Sequence, residues 1–406
     1  MNWAERSIGE ITEIVTKGTT PSTYGMPFTD SGINFIKAEA LNGDVALDRG
    51  GFAFINEETH EKLRRSQLHE NDVLVTIAGA NVGKCGYVYQ NDLPANTNQA
   101  VGIVRVKQEY ANPRYIYYHF KNPSTFSMCQ GIGGGQAAQP NINLTILKSF
   151  KLPLPDVDYQ NRVVQIIASY DDLIENNKRR VELLEESARQ LYKEWFVRFR
   201  FPGHEHVKII GGVPVGWEKT TADNVIDILS GGTPKTSVAD YWNGDIGFYT
   251  PKDSTNTVYV SSTEKTITES GLDKCASKLY QKNTLFITAR GTVGKLNLAQ
   301  QPMAMNQSCY ALVGKKPINQ FYLYFSMQAG IQQVKSRAVG AVFDAIIKDT
   351  FKVIPFIVPP KLLIDEFTEF VEPTLQQIDN LILSIAKLTQ VRDLLLPKLM
   401  SGEIAA

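Results

Sequence analysis

The second half of this chain repeats the order of motifs in its first half, which restricts the fold to two copies of one module. Thr20-Pro21 answers Thr233-Pro234, and Ile33-Asn34-Phe35 answers Ile246-Gly247-Phe248 at the same displacement. Leu74 to Lys84 (LVTIAGANVGK) answers Leu285 to Lys295 (LFITARGTVGK), Asn98-Gln99 answers Asn306-Gln307, and Phe150-Lys151 answers Phe351-Lys352. The displacement shrinks slowly along the chain, as small loop insertions and deletions after a duplication would make it. Each globular stretch is followed by a long segment of helical period, so the repeating unit is a lobe plus a helix.

The expected boundaries are a first lobe over 1–155, a helical segment over 156–200, a second lobe over 201–360 that opens with a linker at 201–216, and a second helical segment over 361–406. Alternating apolar runs such as Asp72 to Ile77 and Val101 to Val106 read as strands, and Tyr115 to Phe120 reads as a short helix. Turn residues interrupt them at Gly18-Thr19-Thr20-Pro21, Asn42-Gly43-Asp44 and Gly131 to Gly135, as in a loop-rich α+β lobe.

Stepping through the first helical segment by alternating four and three residues gives Val163, Ile167, Tyr170, Ile174, Asn177, Val181, Leu184, Ala188, Leu191 and Trp195, a coiled-coil seam interrupted only at Asn177. Asn177 either fixes the pairing register or marks where the seam turns to solvent. The second segment reads Phe367, Val371, Thr374, Ile378, Leu381, Ile385, Leu388, Arg392, Leu395 and Leu399, and Pro373 within it is expected to kink or restart the helix. Neither helix can hide its stripe alone, so an intramolecular antiparallel pair is the expected solution.

The 42 basic and 42 acidic residues cancel, which argues against binding nucleic acid by bulk charge alone. Residues 201–360 hold 16 basic against 12 acidic residues while the two helical segments are slightly acidic, so any affinity for an anion is expected on the lobes. Cys85, Cys129, Cys275 and Cys309 lie far apart without a CxxC pair, which suggests neither zinc nor a disulfide framework. No apolar run reaches the length of a membrane span and the start lacks a signal-peptide stretch, so no membrane association and a cytoplasmic location are expected.

The segment Leu191-Tyr192-Lys193-Glu194-Trp195-Phe196-Val197-Arg198-Phe199 and the C-terminal Leu395-Leu396-Pro397-Lys398-Leu399-Met400-Ser401-Gly402-Glu403-Ile404 resemble the helical regions of the specificity subunit of type I restriction-modification systems. Gly232-Thr233-Pro234, Tyr241-Trp242-Asn243-Gly244-Asp245-Ile246 and Thr250-Pro251-Lys252-Asp253 are similar to the opening of a target-recognition domain of that family. The resemblance covers essentially the whole chain. It implies an α+β fold with two tandem globular target-recognition domains separated by two long helices that form an antiparallel coiled coil, with an internal pseudo-twofold repeat. It further implies a non-catalytic DNA-reading subunit for restriction-modification, DNA methylation and phage defence. Each lobe would read one half of a split double-stranded target, and the helices would set the spacing and dock two methyltransferase (modification) subunits, optionally with two restriction/translocase subunits. The chain itself would bind no cofactor; S-adenosylmethionine, ATP and Mg would sit in the partner subunits. Because the lobes differ, with Ala78-Gly79-Ala80-Asn81 set against Ala289-Arg290-Gly291-Thr292, the target is expected to be asymmetric.

Candidate DNA contacts lie in the repeated loops. Lys84 and Lys295, with Lys235 and Lys252, suit phosphates, and the fork of Arg290 suits guanine. Asn98, Gln99, Asn306 and Gln307, with Gln136, Gln139, Asn141 and Asn143, either read adenine edges, hold phosphates, or order the backbone of the lobe itself. The second lobe has Gly340-Ala341-Val342-Phe343-Asp344 where the first has its Gln-rich loop.

Enzyme motifs fail on inspection. Gly79-Ala80-Asn81-Val82-Gly83-Lys84-Cys85 is one residue too short for a phosphate loop and lacks the Ser/Thr that would bind magnesium, so it reads as a turn. Asn112-Pro113-Arg114-Tyr115 has Arg114 where an adenine methyltransferase has a second proline, and reads as a helix entry. His204-Glu205-His206 has no further ligands at metal spacing. The competing expectation is a coiled-coil scaffold or adaptor that reads no sequence.

Overall fold

Backbone ladders reproduce the sequence repeat strand for strand. The structure is a computed structural model that describes residues 3–133, 141–337 and 345–406. The first lobe contains β1 (Ala4–Ser7), β2 (Thr12–Lys17), β3 (Ile33–Ile36), β4 (Phe52–Ile55), β5 (Val73–Thr76), β6 (Cys85–Tyr87), β7 (Ala95–Thr97), β8 (Val101–Val106) and β9 (Lys151–Leu154). They form sheets of order β2-β8-β5-β6, β4-β3-β7 and β1-β9. The second lobe contains β10 (Ile209–Ile210), β11 (Val213–Pro214), β12 (Glu218–Thr221), β13 (Ile226–Ser230), β14 (Trp242–Tyr249), β15 (Tyr259–Val260), β16 (Thr266–Ile267), β17 (Leu285–Thr288), β18 (Leu296–Ala299), β19 (Met303–Met305), β20 (Cys309–Gly314) and β21 (Pro355–Val358). Apart from the hairpin β10-β11, its sheets are β13-β20-β17-β18-β15, β16-β14-β19 and β12-β21. The order matches that of the first lobe, with β15 added at one edge. In both lobes the central strand of the three-stranded sheet runs parallel to one neighbour and antiparallel to the other.

The central strands are buried on both faces because two layers cover them. Val73 and Val75 of β5 belong to the core shared with the lobe helix Pro113–Lys121, while Leu74, between them, faces the core built around Ile36 and Leu41. The second lobe divides β17 in the same way, Leu285 and Ile287 to one side and Phe286 to the other.

The first long helix spans Val157–Tyr192 and continues as a π-turn over Lys193–Val197; the second spans Lys361–Ser401. At Pro373 the second helix does not restart, since it is continuous from Lys361 to Ser401. Pro373 lies on the exposed face together with Glu369, so the carbonyl that loses its N–H partner there can bond to water.

The chain divides into two compact units, one of residues 1–175 with 387–406 and one of residues 176–386, so each unit holds a lobe and a stretch of both long helices. Within the first unit the helices run antiparallel. The Tyr159 hydroxyl donates to the carbonyl of Leu399 at 3.1 Å, and Arg392 pairs with Asp171 at 2.8 Å. Within the second unit, Asn177 Nδ2 donates to Ser384 Oγ at 3.5 Å, and the Trp195 ring lies tilted against Phe367 with centroids 6.0 Å apart. Asn177 is buried, so of its two readings the turn to solvent is excluded.

The seam residues lie where the helical period puts them. Val163, Ile167, Ile174, Val181, Ala188, Trp195, Phe367, Val371, Ile378, Leu381 and Leu399 are buried, while Tyr170, Leu184, Leu191, Thr374, Ile385, Leu388 and Leu395 are half-buried. Polar clamps join each lobe to its helices. In the first unit Tyr118 Oη donates to Asp171 at 2.8 Å and Arg114 to Asp172 at 3.0 Å. In the second, Lys282 Nζ donates to Asp379 at 2.6 Å, and the buried Glu185 accepts from the Val258 N–H at 2.6 Å.

Candidate nucleic-acid interface

One end of the main sheet gathers the repeated loops in each lobe. In the first, β2 ends, β8 begins, β5 ends and β6 begins at this end, because Lys17 pairs with Gly102, Thr76 with Val101 and Val75 with Cys85. In the second, Ser230 pairs with Tyr310, Thr288 with Cys309 and Ile287 with Leu296. Three chain segments are stitched together there. Ile77 N donates to Ala100 O and Ile142 N to Ile77 O, both at 2.8 Å; Ala289 N donates to Ser308 O and Ile346 N to Ala289 O, also at 2.8 Å.

The Asn-Gln turn is held identically in both lobes. Asn98 Oδ1 accepts from the Ala100 N–H at 3.2 Å and Asn306 Oδ1 from the Ser308 N–H at 3.0 Å, so both asparagines order their own turns. Gln99 accepts a hydrogen bond from the Thr20 hydroxyl, and Gln307 accepts one from the Thr233 hydroxyl. With the carbonyl engaged in this way, each exposed glutamine has its amide N–H groups to offer outward, which suits a phosphate or a base acceptor better than the two-point contact to adenine. Gly18 and Gly231 permit the close approach. A Cβ on Gly18 would lie 2.1 Å from the Thr97 carbonyl oxygen, and one on Gly231 would lie 2.1 Å from that of Asn306.

The ladder corrects the alignment of the neighbouring loop. Thr76 N bonds to Lys84 O at 2.7 Å and Thr288 N to Lys295 O at 3.0 Å, so the loop covers residues 77–83 in the first lobe and only 289–294 in the second. Arg290 therefore corresponds to Ala78 and Gly291 to Gly79, one position away from the ungapped match. Backbone geometry explains the shift: Gly79 (φ 93°) matches Gly291 (φ 81°) and Gly83 (φ 90°) matches Gly294 (φ 81°), conformations that favour glycine.

The cations differ between lobes. Lys84, Lys235, Lys252 and Arg290 form no side-chain hydrogen bond or ion pair among the described residues, and all but the half-buried Lys84 are exposed. Lys295 Nζ donates to Asn256 Oδ1 at 3.1 Å. Lys84 lines a cleft of about 370 Å³ walled by its loop, the lobe helices and the second long helix at Arg392 to Leu396, and Lys295 one of about 230 Å³ between its loop and the following lobe helix. In the second lobe Asn306 N bonds to Tyr249 O at 2.9 Å and Thr292 Oγ1 to Pro251 O at 3.2 Å, which brings Lys252, the Arg290 loop and the Asn-Gln turn into one cluster. Lys235 lies two residues beyond Thr233, the threonine that holds Gln307.

The remaining candidates separate. Asn143 caps the short helix Leu144–Ser149, its Oδ1 accepting from Ile146 N at 2.8 Å, which is a structural task. Asn141 is exposed and bridges to Ala78 through its backbone, so it lies beside the loop. Gln136, Gln139 and the Gly340–Asp344 counterpart lie outside the described residues. Sequence reasoning missed Thr20, Thr233, Gly18 and Gly231 as parts of the cluster, although the repeated Gly-Thr-Pro spacing carried the signal.

The discarded motifs are structural. Asn112 Oδ1 accepts from Arg114 N at 2.9 Å as a helix cap ahead of Pro113, and its repeat Asn319 accepts from Tyr322 N at 2.9 Å. Cys85, Cys129 and Cys309 are buried free thiols, pushed up to about 12, 11 and 12 by burial, which leaves them protonated and unreactive. Among the described residues the one potential metal cluster is Glu57, His60 and Glu61, with both glutamates exposed, and it includes neither His204 nor His206. No described helix is long and apolar enough to cross a membrane.

The family model described as "Type I restriction modification DNA specificity domain" matches residues 1–186 and again 214–385. The chain is 25% identical to the type I restriction enzyme MjaIX specificity subunit of Methanocaldococcus jannaschii, over 99% of this chain and 94% of that protein. It is 24% identical to the type I restriction enzyme HindI specificity subunit of Haemophilus influenzae, over 99% of this chain and the whole of the other. In fold it is similar to the crystal structure of a type I restriction-modification S subunit from M. genitalium, with a TM-score of 0.59, 15% identity and coverage of 98% and 96% of the two chains.

Proposed function

This chain belongs to the family of type I restriction-modification specificity subunits, and from that premise we propose that its two lobes read the two halves of a split, asymmetric DNA target. The observation that carries the reading is the duplicated loop cluster: one scaffold of Gly, Thr and Asn-Gln holds different side chains at its tip, Ala78 in one lobe and Arg290 in the other. A shared frame with unlike tips is what two readers of different half-sites require, since backbone contacts position a protein on DNA and base contacts specify.

The residues divide into roles accordingly. Lys84, Lys235, Lys252 and Lys295 neutralise phosphates, Arg290 reads a guanine edge through its two-pronged fork, and Gln99 and Gln307 donate from the rim of the cluster. The paired helices set the distance between half-sites, and their outer faces dock two methyltransferase subunits. Exposed Leu173, Leu183, Leu383 and Leu394 support the docking role, because apolar side chains of that size on a helix surface favour a covering partner. S-adenosylmethionine, with ATP and Mg where restriction subunits join, belongs to those partners. The chain contributes addressing and no catalysis, in the compartment that holds the DNA, the cytoplasm.

Long-read mapping of N6-methyladenine tests this, in cells carrying the gene with its methyltransferase and in cells with the gene deleted. A split, asymmetric motif that disappears on deletion is the expected result. Exchange of residues 1–155 for another such lobe should change one half of the motif only. Simultaneous change of both halves would refute separate readers.

A further inference from the structure

The two long helices follow the same sequence repeat as the lobes, and among the buried positions they depart from it most sharply at one place. The displacement that superposes Trp195 on Leu399 and Val163 on Phe367 also superposes Ala188 on Arg392 and Asp171 on Leu375. In the second unit the positions of this quartet are apolar: Ala188 and Leu375 are 4% and 0% exposed and belong to one hydrophobic cluster. In the first unit they are an ion pair, Arg392 Nη1 to Asp171 Oδ1 at 2.8 Å, with side chains only 6% and 1% exposed. Asp171 also accepts from Tyr118 Oη at 2.8 Å, and Lys121 Nζ stands 3.9 Å away. Arg392 has one further partner, Asp393, which is half exposed.

A duplicated chain faces an ambiguity that this asymmetry resolves. Two seams of the same origin and the same register can pair unlike, first helix with second, or like with like between two copies of the chain. Like-with-like pairing would set Asp171 against Ala188 and Arg392 against Leu375. Lys121 and Tyr118 would travel with Asp171 and partly compensate it. Arg392 would be left in an apolar seam with only Asp393, and a buried cation without its partner is strongly unfavourable. We propose that Asp171 and Arg392 select the partner helix, admitting the unlike pair and excluding association of this chain with a second copy through matching helices. A single polar seam position can set partner and register in a coiled coil at some cost in stability.

Full-length chains carrying two different tags, co-expressed and captured through one tag, provide the test. Wild-type chains should bring down only a background of the second tag. The double variant D171L/R392A gives the first unit the chemistry of the second, and should raise recovery of the second tag several-fold. A charge exchange guards against loss of folding. D171R and R392D chains each oppose like charges within the unit and should be poorly soluble or unpaired alone. Together they should co-purify as a mixed dimer, because the guanidinium placed at position 171 of one chain meets the carboxylate placed at position 392 of the other. D171L/R392A chains that remain as separate as wild type would overturn the proposal, as would D171R and R392D chains that neither rescue nor capture each other.

Discussion

Gly231→Ala offers the sharpest test of the loop cluster, because the structure gives it no room. The added Cβ would sit 2.1 Å from the Asn306 carbonyl oxygen and 2.5 Å from that of Met305, where ordinary contacts begin near 3.4 Å. The obstacle is the backbone of Met305 and Asn306, so no side chain can swing away, and the Gly-Thr-Pro segment must retreat by more than an ångström from the Asn-Gln turn. Overpacking of this kind costs about 1–3 kcal/mol. If that cost falls on the arrangement that meets DNA, affinity for the second half-site should drop roughly 5- to 150-fold. Gly18→Ala makes the equivalent clash, 2.1 Å from the Thr97 carbonyl oxygen, and should weaken the first half-site instead. Gly131→Ala is the control: its Cβ meets nothing within 4 Å and it lies in the helix Pro123–Gly133, so it should be neutral or stabilising by up to ~1 kcal/mol. The assay is competition binding by the assembled methyltransferase complex, with each half-site altered in turn, beside thermal melting of the same samples. Gly231→Ala that behaves like Gly131→Ala in both readouts, or that weakens both half-sites equally, would refute the reasoning.

Three further outcomes are expected. Arg290→Ala should cost ~1–3 kcal/mol of discrimination at one position of the second half-site and leave the melting temperature unchanged, since the side chain has no internal partner among the described residues; a substitution series at each base pair reads this. Lys252→Ala should weaken binding to all sequences alike and lower the slope of log affinity against log salt by about one, measured by titration at several salt concentrations. Glu185→Gln concerns stability. Burial holds the Glu185 carboxyl above its ordinary value of 4.5, so the folded state favours the protonated acid, and that contribution is full below 4.5 and lost as pH rises through the folded value. Glutamine keeps a carbonyl for the Val258 N–H without the charge, so the variant should gain on wild type in denaturant titrations as pH rises from 4.5 through the folded value, and a gap that does not widen with pH would contradict this.

The repeat, both helices and their seam are legible in the sequence because period and order survive duplication. Val163 and Phe367 announce themselves by spacing alone. Asp171 does not, since its meaning depends on Arg392, more than two hundred residues away, and an acid beside a seam reads as solvated until its partner is seen. The loop register at Arg290 is misleading in the letters because a one-residue deletion between two glycines leaves them almost as well matched either way; the ladder hydrogen bonds of Thr76 and Thr288 and the positive φ at Gly79 and Gly291 decide. Asn98 and Asn306 are either contacts or turn formers by residue type, and it takes the hydrogen bonds to Ala100 and Ser308 to assign them to the turn. Pro373 suggests a kink or a restart through its missing N–H, and the restart is avoided on a side of the helix that faces water, which the letters do not show.

The division of the chain into units has a consequence for synthesis. Residues 176–386 are contiguous and lie wholly inside the sequence of the other unit, whose final segment, Lys387–Ala406, is made last. At ~5–20 residues per second, ribosomal elongation leaves the first lobe waiting on the order of 10–40 s for that segment. During the wait Val163, Ile167 and Asp171 lack Leu399 and Arg392 to cover them, and the second unit can close before the first is complete. Until then the helical stretch of the first unit lacks part of its cover, with Val163 and Ile167 exposed and Asp171 held only by Tyr118 and Lys121 of its own lobe. A holdase chaperone covering that stretch would act on the interval.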